Sequence, residues 1–261
     1  MNKGCRATWA FWIVASLALP TASFGQLNVI TSGGFASAYQ EVVPEFEKTT
    51  GITVTTTRGQ SQGGGTNAIG AQLRRGVPAD IVIMSREGLD PLIAEGRIAA
   101  GTDVDLARTP LGVSLRAGMP KPDIGTVEAF KQMLLHAKSV TFPSSTTGIW
   151  MVNQLFPQLG IAGEMAGKIT NTGVAAVAKG DAEFAIQPVS EILHVPGTDF
   201  IGAIPAEIQY ISVFSVAIVA GDKQMEASQR LIGFLRSETA AEAIRKSGME
   251  PLTFNRVDKH R

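Results

Sequence analysis

Four times along its length the chain repeats one local pattern: a β-forming run, a turn of small and hydroxyl-bearing residues, then a stretch with helical spacing. The turns are Thr31-Ser32-Gly33-Gly34, Gln60-Ser61-Gln62-Gly63-Gly64-Gly65-Thr66, Ser144-Ser145-Thr146-Thr147-Gly148 and Asn171-Thr172-Gly173. Strands alternating with helices require crossover connections, and so predict an α/β fold built on parallel strands. In an open sheet of this kind the turns gather at the strand ends, where ligands bind. At 261 residues, with 44% hydrophobic and 18% charged residues, the chain can bury one large core or two modest ones.

The elements follow from spacing. Leu27–Thr31 reads as a strand, and Phe35–Thr49 places Phe35, Ala38, Tyr39, Val42, Val43 and Phe46 on one helical face before Gly51 ends it. Ile52–Thr57 and Asp80–Met84 read as strands around a helix at Asn67–Arg75. Helical turns near Pro91–Glu95 and the segment Asp103–Ala107 lead into a strand at Leu111–Leu115. Beyond the Pro-containing stretch 118–123, a plausible surface connection, the same alternation resumes. Helices are expected at Val127–His136, Ile149–Leu159, Val174–Lys179 and Pro188–Leu193, with strands at Ser139–Phe142 and Ala182–Gln187. Gln209–Val219 alternates as a β run, and helices near Met225–Arg236 and Ala240–Ser247 follow.

The N-terminus carries a different signal. Lys3 and Arg6 precede an apolar run from Trp9 to Leu19, then Pro20 and the small residues before Gly25. That order is a secretory leader, expected over residues 1–25, and its apolar run is shorter than the ~20 residues of a membrane span. Cys5 is the only cysteine and lies within it, so the mature chain folds without disulfides in a periplasm-like compartment. His136, His194 and His260 are far apart, which excludes a Cys/His zinc site, and no cofactor motif is present. Lys+Arg and Asp+Glu balance at 23 each, so no global field draws the protein to nucleic acid.

The turns have a chemistry. A helix N-terminus presents unpaired N–H groups and the positive end of its dipole, Ser and Thr add hydroxyl donors, and Gly lets an oxyanion approach the backbone. Ordinary helix capping uses the same residue types, so the residues alone reach only an oxyanion or carboxylate pocket.

The order strand, serine turn, long helix, Gly-Ile-Thr-Val strand and Ser/Gly-rich loop, followed by Gly76-Val77-Pro78-Ala79-Asp80-Ile81-Val82-Ile83, resembles the molybdate-binding (ModA-type) periplasmic proteins. Pro143–Gly160 resembles that family's second-lobe loop and helix, and Phe214–Gly221 its return strand. The resemblance implies a two-lobed periplasmic binding protein fold (type II) holding an anion between the lobes. It implies residues 26–109 and 212–261 in lobe 1 and 110–211 in lobe 2. By position, Ser32 with Gly33 and Ser61 are implied first-lobe donors, while Thr147 with Gly148 and Thr172 stand where the family presents second-lobe N–H groups.

Two departures alter the expected ligand. Gln187 occupies the place of a ligand-contacting tyrosine, and Arg58 stands at the entrance of the second turn. Guanidinium forks match carboxylates, so Arg58, Gln60, Ser61 and Gln187 suit a flat organic polycarboxylate better than a metal oxyanion. The chain is similar to the aconitate isomerase branch of the family, which implies an allylic proton shift. The alternative is the non-catalytic capture component of an ABC importer for molybdate or a related oxyanion, with a permease partner. An isomerase needs an acid/base group, and Glu191, Ser61 and Tyr39 are the candidates. Gly59-Gln60-Ser61-Gln62-Gly63 also matches a nucleophile elbow, with His194 as its base; the serine follows the second strand, too early for that fold, and glycine-rich turns match the motif cheaply.

Overall fold

The computed structural model describes residues 25–252; the expected leader, apart from Gly25, lies outside the described residues. Ten strands form the framework: β1 (Leu27–Thr31), β2 (Val54–Arg58), β3 (Ile81–Ser85), β4 (Val104–Arg116), β5 (Val140–Thr141), β6 (Ile169–Thr170), β7 (Phe184–Pro188), β8 (Thr198–Ala203), β9 (Ile211–Ile218) and β10 (Glu250–Pro251). Their order is β2-β1-β3-β9-β4-β7-β5-β6, with β8 and β10 also on β4. The β1–β2, β1–β3, β5–β6 and β5–β7 pairs are parallel, and β9 and β4 run antiparallel to their neighbours. The result is the expected two-lobed α/β architecture, bent about its longest strand.

That strand is β4. Its first half, to Pro110, pairs with β9, and its second half, Leu111–Arg116, pairs with β7 and β8. The pairing changes at Pro110, a residue with no N–H to contribute to a ladder. The Gln209 side chain fills in there: its oxygen accepts from the Leu111 and Tyr210 N–H groups at 2.8 and 3.0 Å. Its amide donates to the carbonyls of Leu111 and Ile204 at 3.1 and 3.0 Å.

Each half has its own apolar interior. In the first, β3 is buried on both faces, as parallel-type central strands are. Ile81 and Ile83 face α1 (Ala36–Thr50) and the C-terminal helices through Phe46, Leu231 and Ile244, while Val82 and Met84 face Ile69, Leu89 and Leu92 of α2 (Ile69–Arg74) and α3 (Arg86–Ala94). In the second, Leu111, Val113 and Leu115 pack with Phe130 and Leu134 of α4 (Val127–His136) and with Phe142 and Phe156. Helix α5 (Thr146–Trp150) runs through a π turn (Met151–Leu155) into α6 (Phe156–Leu159), and α7 (Ala162–Met165) and α8 (Val174–Lys179) follow. Short α9 (Val189–Ile192) leaves β7 directly, and α10 (Met225–Leu235) and α11 (Glu238–Lys246) complete the first half.

The spacing arguments hold for the long helices and the β1, β3, β7 and β9 cores. They miss β8, whose short Thr-Asp-Phe-Ile-Gly-Ala run does not alternate, and the first half of β4, read as a separate segment. A register shift between Asp105 and Ala107 breaks the alternation there.

Replacing Gln209 with Leu leaves polar backbone groups at the crossover unpaired. Urea unfolding of Gln209→Leu is expected to show a stability lower by about 2–4 kcal/mol, with an unchanged denaturant slope.

Candidate functional site

Four of the strand ends meet where the two halves face each other. Ser32 follows β1, and its backbone N–H is tied to the Ile83 carbonyl at 2.8 Å. Its hydroxyl is buried, lines the cavity and has no hydrogen-bond partner among the described residues. A buried orphan hydroxyl is unfavourable unless a ligand completes it. The next two residues are constrained to be small: a β-carbon on Gly34 would fall 1.9 Å from the Phe214 ring, and one on Gly33 would lie 3.1 Å from the Glu191 carboxyl.

The second turn is locked by its own backbone. Gln60 and Ala68 bridge, and a β-carbon on Gly88 would sit 2.2 Å from the Ser61 carbonyl. Buried Ser61 accepts the Ser85 N–H on its Oγ at 2.9 Å. That leaves the Ser61 hydroxyl proton free to donate into the cavity.

The opposite wall comes from the other half. Thr146, Thr147 and Gly148 open α5, and their N–H groups bond to no described residue, as in the first turn of any helix. Gly148 packs so tightly on its entry loop that a β-carbon would lie 2.3 Å from the Pro143 carbonyl. Across the gap, the Ser145 hydroxyl accepts the Gln62 N–H at 3.1 Å, and the Thr146 and Ser85 hydroxyls share a 2.8 Å hydrogen bond. Further along, Tyr210 donates its hydroxyl to Glu87 and packs on Trp150 with ring centroids 5.2 Å apart.

These walls enclose about 150 Å³, lined by Ser32, Gln60, Ser61, Ser85, Thr147 and Ser212 among others. Among the described residues, Glu191 is the only ionisable side chain on that lining. It leaves β7 through Pro188 on α9 and has no hydrogen-bond partner among the described residues. Burial pushes its carboxyl up to about 7, with the Arg58 guanidinium pulling the other way. Arg58 is exposed at the end of β2, makes no ion pair among the described residues, and acts on the cavity through its field rather than as a wall.

Not every predicted residue reaches this cavity. Thr172 and Gln187 line an adjoining outer chamber that shares Gly33, Pro143 and Glu191 with the first. Tyr39 is buried in the core of the first half, its hydroxyl 3.0 Å from the Thr56 hydroxyl, and burial raises it to about 12. His194 sits in the outer chamber with Nε2 on the Lys246 carbonyl, so Ser61 has no histidine beside it and no nucleophile elbow forms. Sequence reasoning passed over Ser85, Ser212 and Phe214. Ser85 had a legible signal, since it too is a hydroxyl residue between a strand and a helix, but without the glycines. Among the described residues no group of three or more His, Cys, Asp or Glu is placed to hold a metal.

Two lobes with an anion-type pocket between converging turns define a solute-binding protein. Residues 27–250 match the model for bacterial extracellular solute-binding proteins, and the chain belongs to that family. An aconitate isomerase from a Pseudomonas species is 36% identical over 230 residues, spanning 87% of this chain and 88% of that protein. Among solved structures, the periplasmic molybdate-binding protein of Azotobacter vinelandii superposes with a TM-score of 0.70 at 17% identity, covering 87% of this chain and all of its own. The sulfate-binding protein of Mycobacterium tuberculosis gives 0.67 at 16% identity, covering 87% of each chain.

The Glu191 carboxyl makes stability depend on pH. The folded chain holds its proton more tightly than the unfolded one, so this stabilisation is complete below about 4.5 and is lost as pH rises through about 7. Ligand-free Glu191→Gln, neutral throughout, is expected to melt level with the parent at low pH and several degrees higher in alkaline buffer. A melting-temperature series across pH checks it.

Proposed function

We propose that the protein is an exported isomerase that interconverts cis- and trans-aconitate by moving an allylic proton. One observation carries the reading: a cavity otherwise lined by neutral anion donors holds a single unpaired carboxyl whose pKa lies near neutrality. A carrier for an oxyanion gains nothing from a carboxyl facing its ligand, because like charges repel. A proton-transfer enzyme needs one, poised near working pH. The relative at 36% identity bears the matching name. Cavity size agrees: about 150 Å³ has room for roughly ten water positions at about 10–15 Å³ each. That is more space than a tetrahedral oxyanion fills.

In this mechanism Ser32, Ser61 and the N–H groups of Thr147 and Gly148 bind carboxylates of the substrate, with Gln60 at the rim. The Arg58 field offsets their charge. Glu191 as carboxylate removes a proton from the allylic methylene, forming its own O–H. The C–H electron pair becomes the new double bond, and the former double-bond pair moves to the far carbon, spreading into the attached carboxylates. There the same neutral donors stabilise the developing charge. The Glu191 O–H then gives its proton to the far carbon and returns to carboxylate, and the conformation about the methylene bond when its proton leaves sets the cis or trans geometry of the new double bond. Tyr39, bonded inside the core, has no part in these steps.

The leader over residues 1–25 directs export to the periplasm, in keeping with the extracellular family. We assign 26–109 and 212–261, of which 253–261 lie outside the described residues, to lobe 1 and 110–211 to lobe 2, closing at the β4–β9 crossover as two-lobed binders do. The separate apolar interiors on either side of Pro110 support that division.

Incubating the mature protein with trans-aconitate is expected to yield the cis isomer, with kcat/KM rising as pH passes about 7. Glu191→Gln is expected to lose roughly 10²–10⁴-fold in turnover, and Ser32→Ala with Ser61→Ala to abolish ligand-induced thermal stabilisation. Tight molybdate binding without aconitate turnover would instead identify the capture component of an ABC importer.

A further inference from the structure

The cleft has two compartments, and Glu191 stands between them. Gly33, Pro143 and Glu191 line both the inner cavity and the outer chamber of about 460 Å³, so they form the neck that joins them. The neck is tight: a β-carbon on Gly33 would come within 3.1 Å of the Glu191 carboxyl, so that side chain would have to give by a few tenths of an ångström.

The outer chamber contains polar groups that the fold does not use. Gln187 is only 3% exposed, on β7, and its amide has no hydrogen-bond partner among the described residues. The Ser190 hydroxyl is buried and likewise unpartnered. Burying the Ser190 hydroxyl without a partner is unfavourable, and it and Gln187 line the chamber together with Ser37 and Gln40 of α1. Glu191 and His194 are the ionisable groups on this lining, and the His194 Nε2 is already engaged by the Lys246 carbonyl. The chamber is therefore a second set of neutral donors, separated from the first by the acid/base group.

We infer that Gln187 and Ser190 hold one carboxylate of the substrate in the outer chamber while Ser32 and Ser61 hold another in the inner cavity, so that the carbon chain passes the Glu191 carboxyl at the neck. This rests on the isomerase reading above and adds to it the way the substrate is laid across the cleft. It makes Gln187 and Ser190 specificity determinants: an anion short enough for the inner cavity ignores them, while a tricarboxylate requires them. It also explains how one carboxyl reaches an allylic carbon without displacing the donors that bind the anion.

Calorimetric titration with two non-reacting probes tests it. Tricarballylate, a saturated tricarboxylate, spans both compartments, and succinate fills the inner one. Gln187→Leu is expected to weaken tricarballylate roughly ten- to hundredfold and to leave succinate within about twofold. Ser190→Ala should show the same selectivity with a smaller effect. Ser37→Glu, on the exposed first turn of α1 where an acidic side chain favours the helix, repels a carboxylate across the chamber without loading the core, and covers the case in which Gln187→Leu fails to fold. If these variants weaken both probes equally, or neither, the two-compartment placement is overturned while aconitate turnover by the parent protein keeps the isomerase reading intact. A parent protein that neither turns over aconitate nor binds tricarballylate overturns both.

Discussion

The hydrogen-bond ladder of β4 runs through both halves of the molecule, and nearly everything at the site is positioned by it. Up to Pro110 the strand belongs to the sheet that carries β1, β2 and β3; beyond it, to the sheet that carries β5, β6 and β7. A strand shared in this way fixes the distance between the two groups of turns while leaving the angle between them to a few residues at the crossover. Proline removes a ladder donor there, and the Gln209 amide supplies four hydrogen bonds in its place. The crossover thus keeps its backbone satisfied where the ladder changes partners.

Given that frame, the cavity works by the physics of unpaired donors. Helix starts and serine hydroxyls offer partial positive charge without the desolvation cost of a buried cation. An anion can therefore be held in a water-poor space by groups whose own burial is cheap. The same low polarity that strengthens those bonds raises the Glu191 carboxyl toward neutrality. On the proposed reading, anion affinity and a usable proton carrier are two consequences of one environment. Arg58 at the margin limits how far the carboxyl can rise.

The hydrogen bonds that tie the two halves together include Gln62 to Ser145, Ser85 to Thr146, Tyr210 to Glu87 and His194 to the Lys246 carbonyl. Hydrogen bonds of this kind exchange readily with water and are individually modest. They tie the two walls together, whereas the apolar clusters of the two halves are separate.

The α/β alternation, the long helices and the chemical character of three turns were legible in the sequence, because they rest on local rules: spacing, glycine and hydroxyl content. Within those turns, the resemblance to the family singled out Ser32, Ser61 and Thr147 by position. Ser212 and Phe214 were not among them. They come from a β run whose spacing says only that it is a strand, and they reach the cavity because β9 pairs with β3 and β4. Tyr39 shows the reverse: a plausible acid on a helical face, which packing turns inward to Thr56. Glu191 was readable as a carboxylate four residues beyond a strand end. Its isolation and its shifted pKa follow from which walls close around it. Local composition decides which groups each turn can offer; only the long-range pairing of β4 decides which of them face one another, because the distances that matter join residues scores of positions apart.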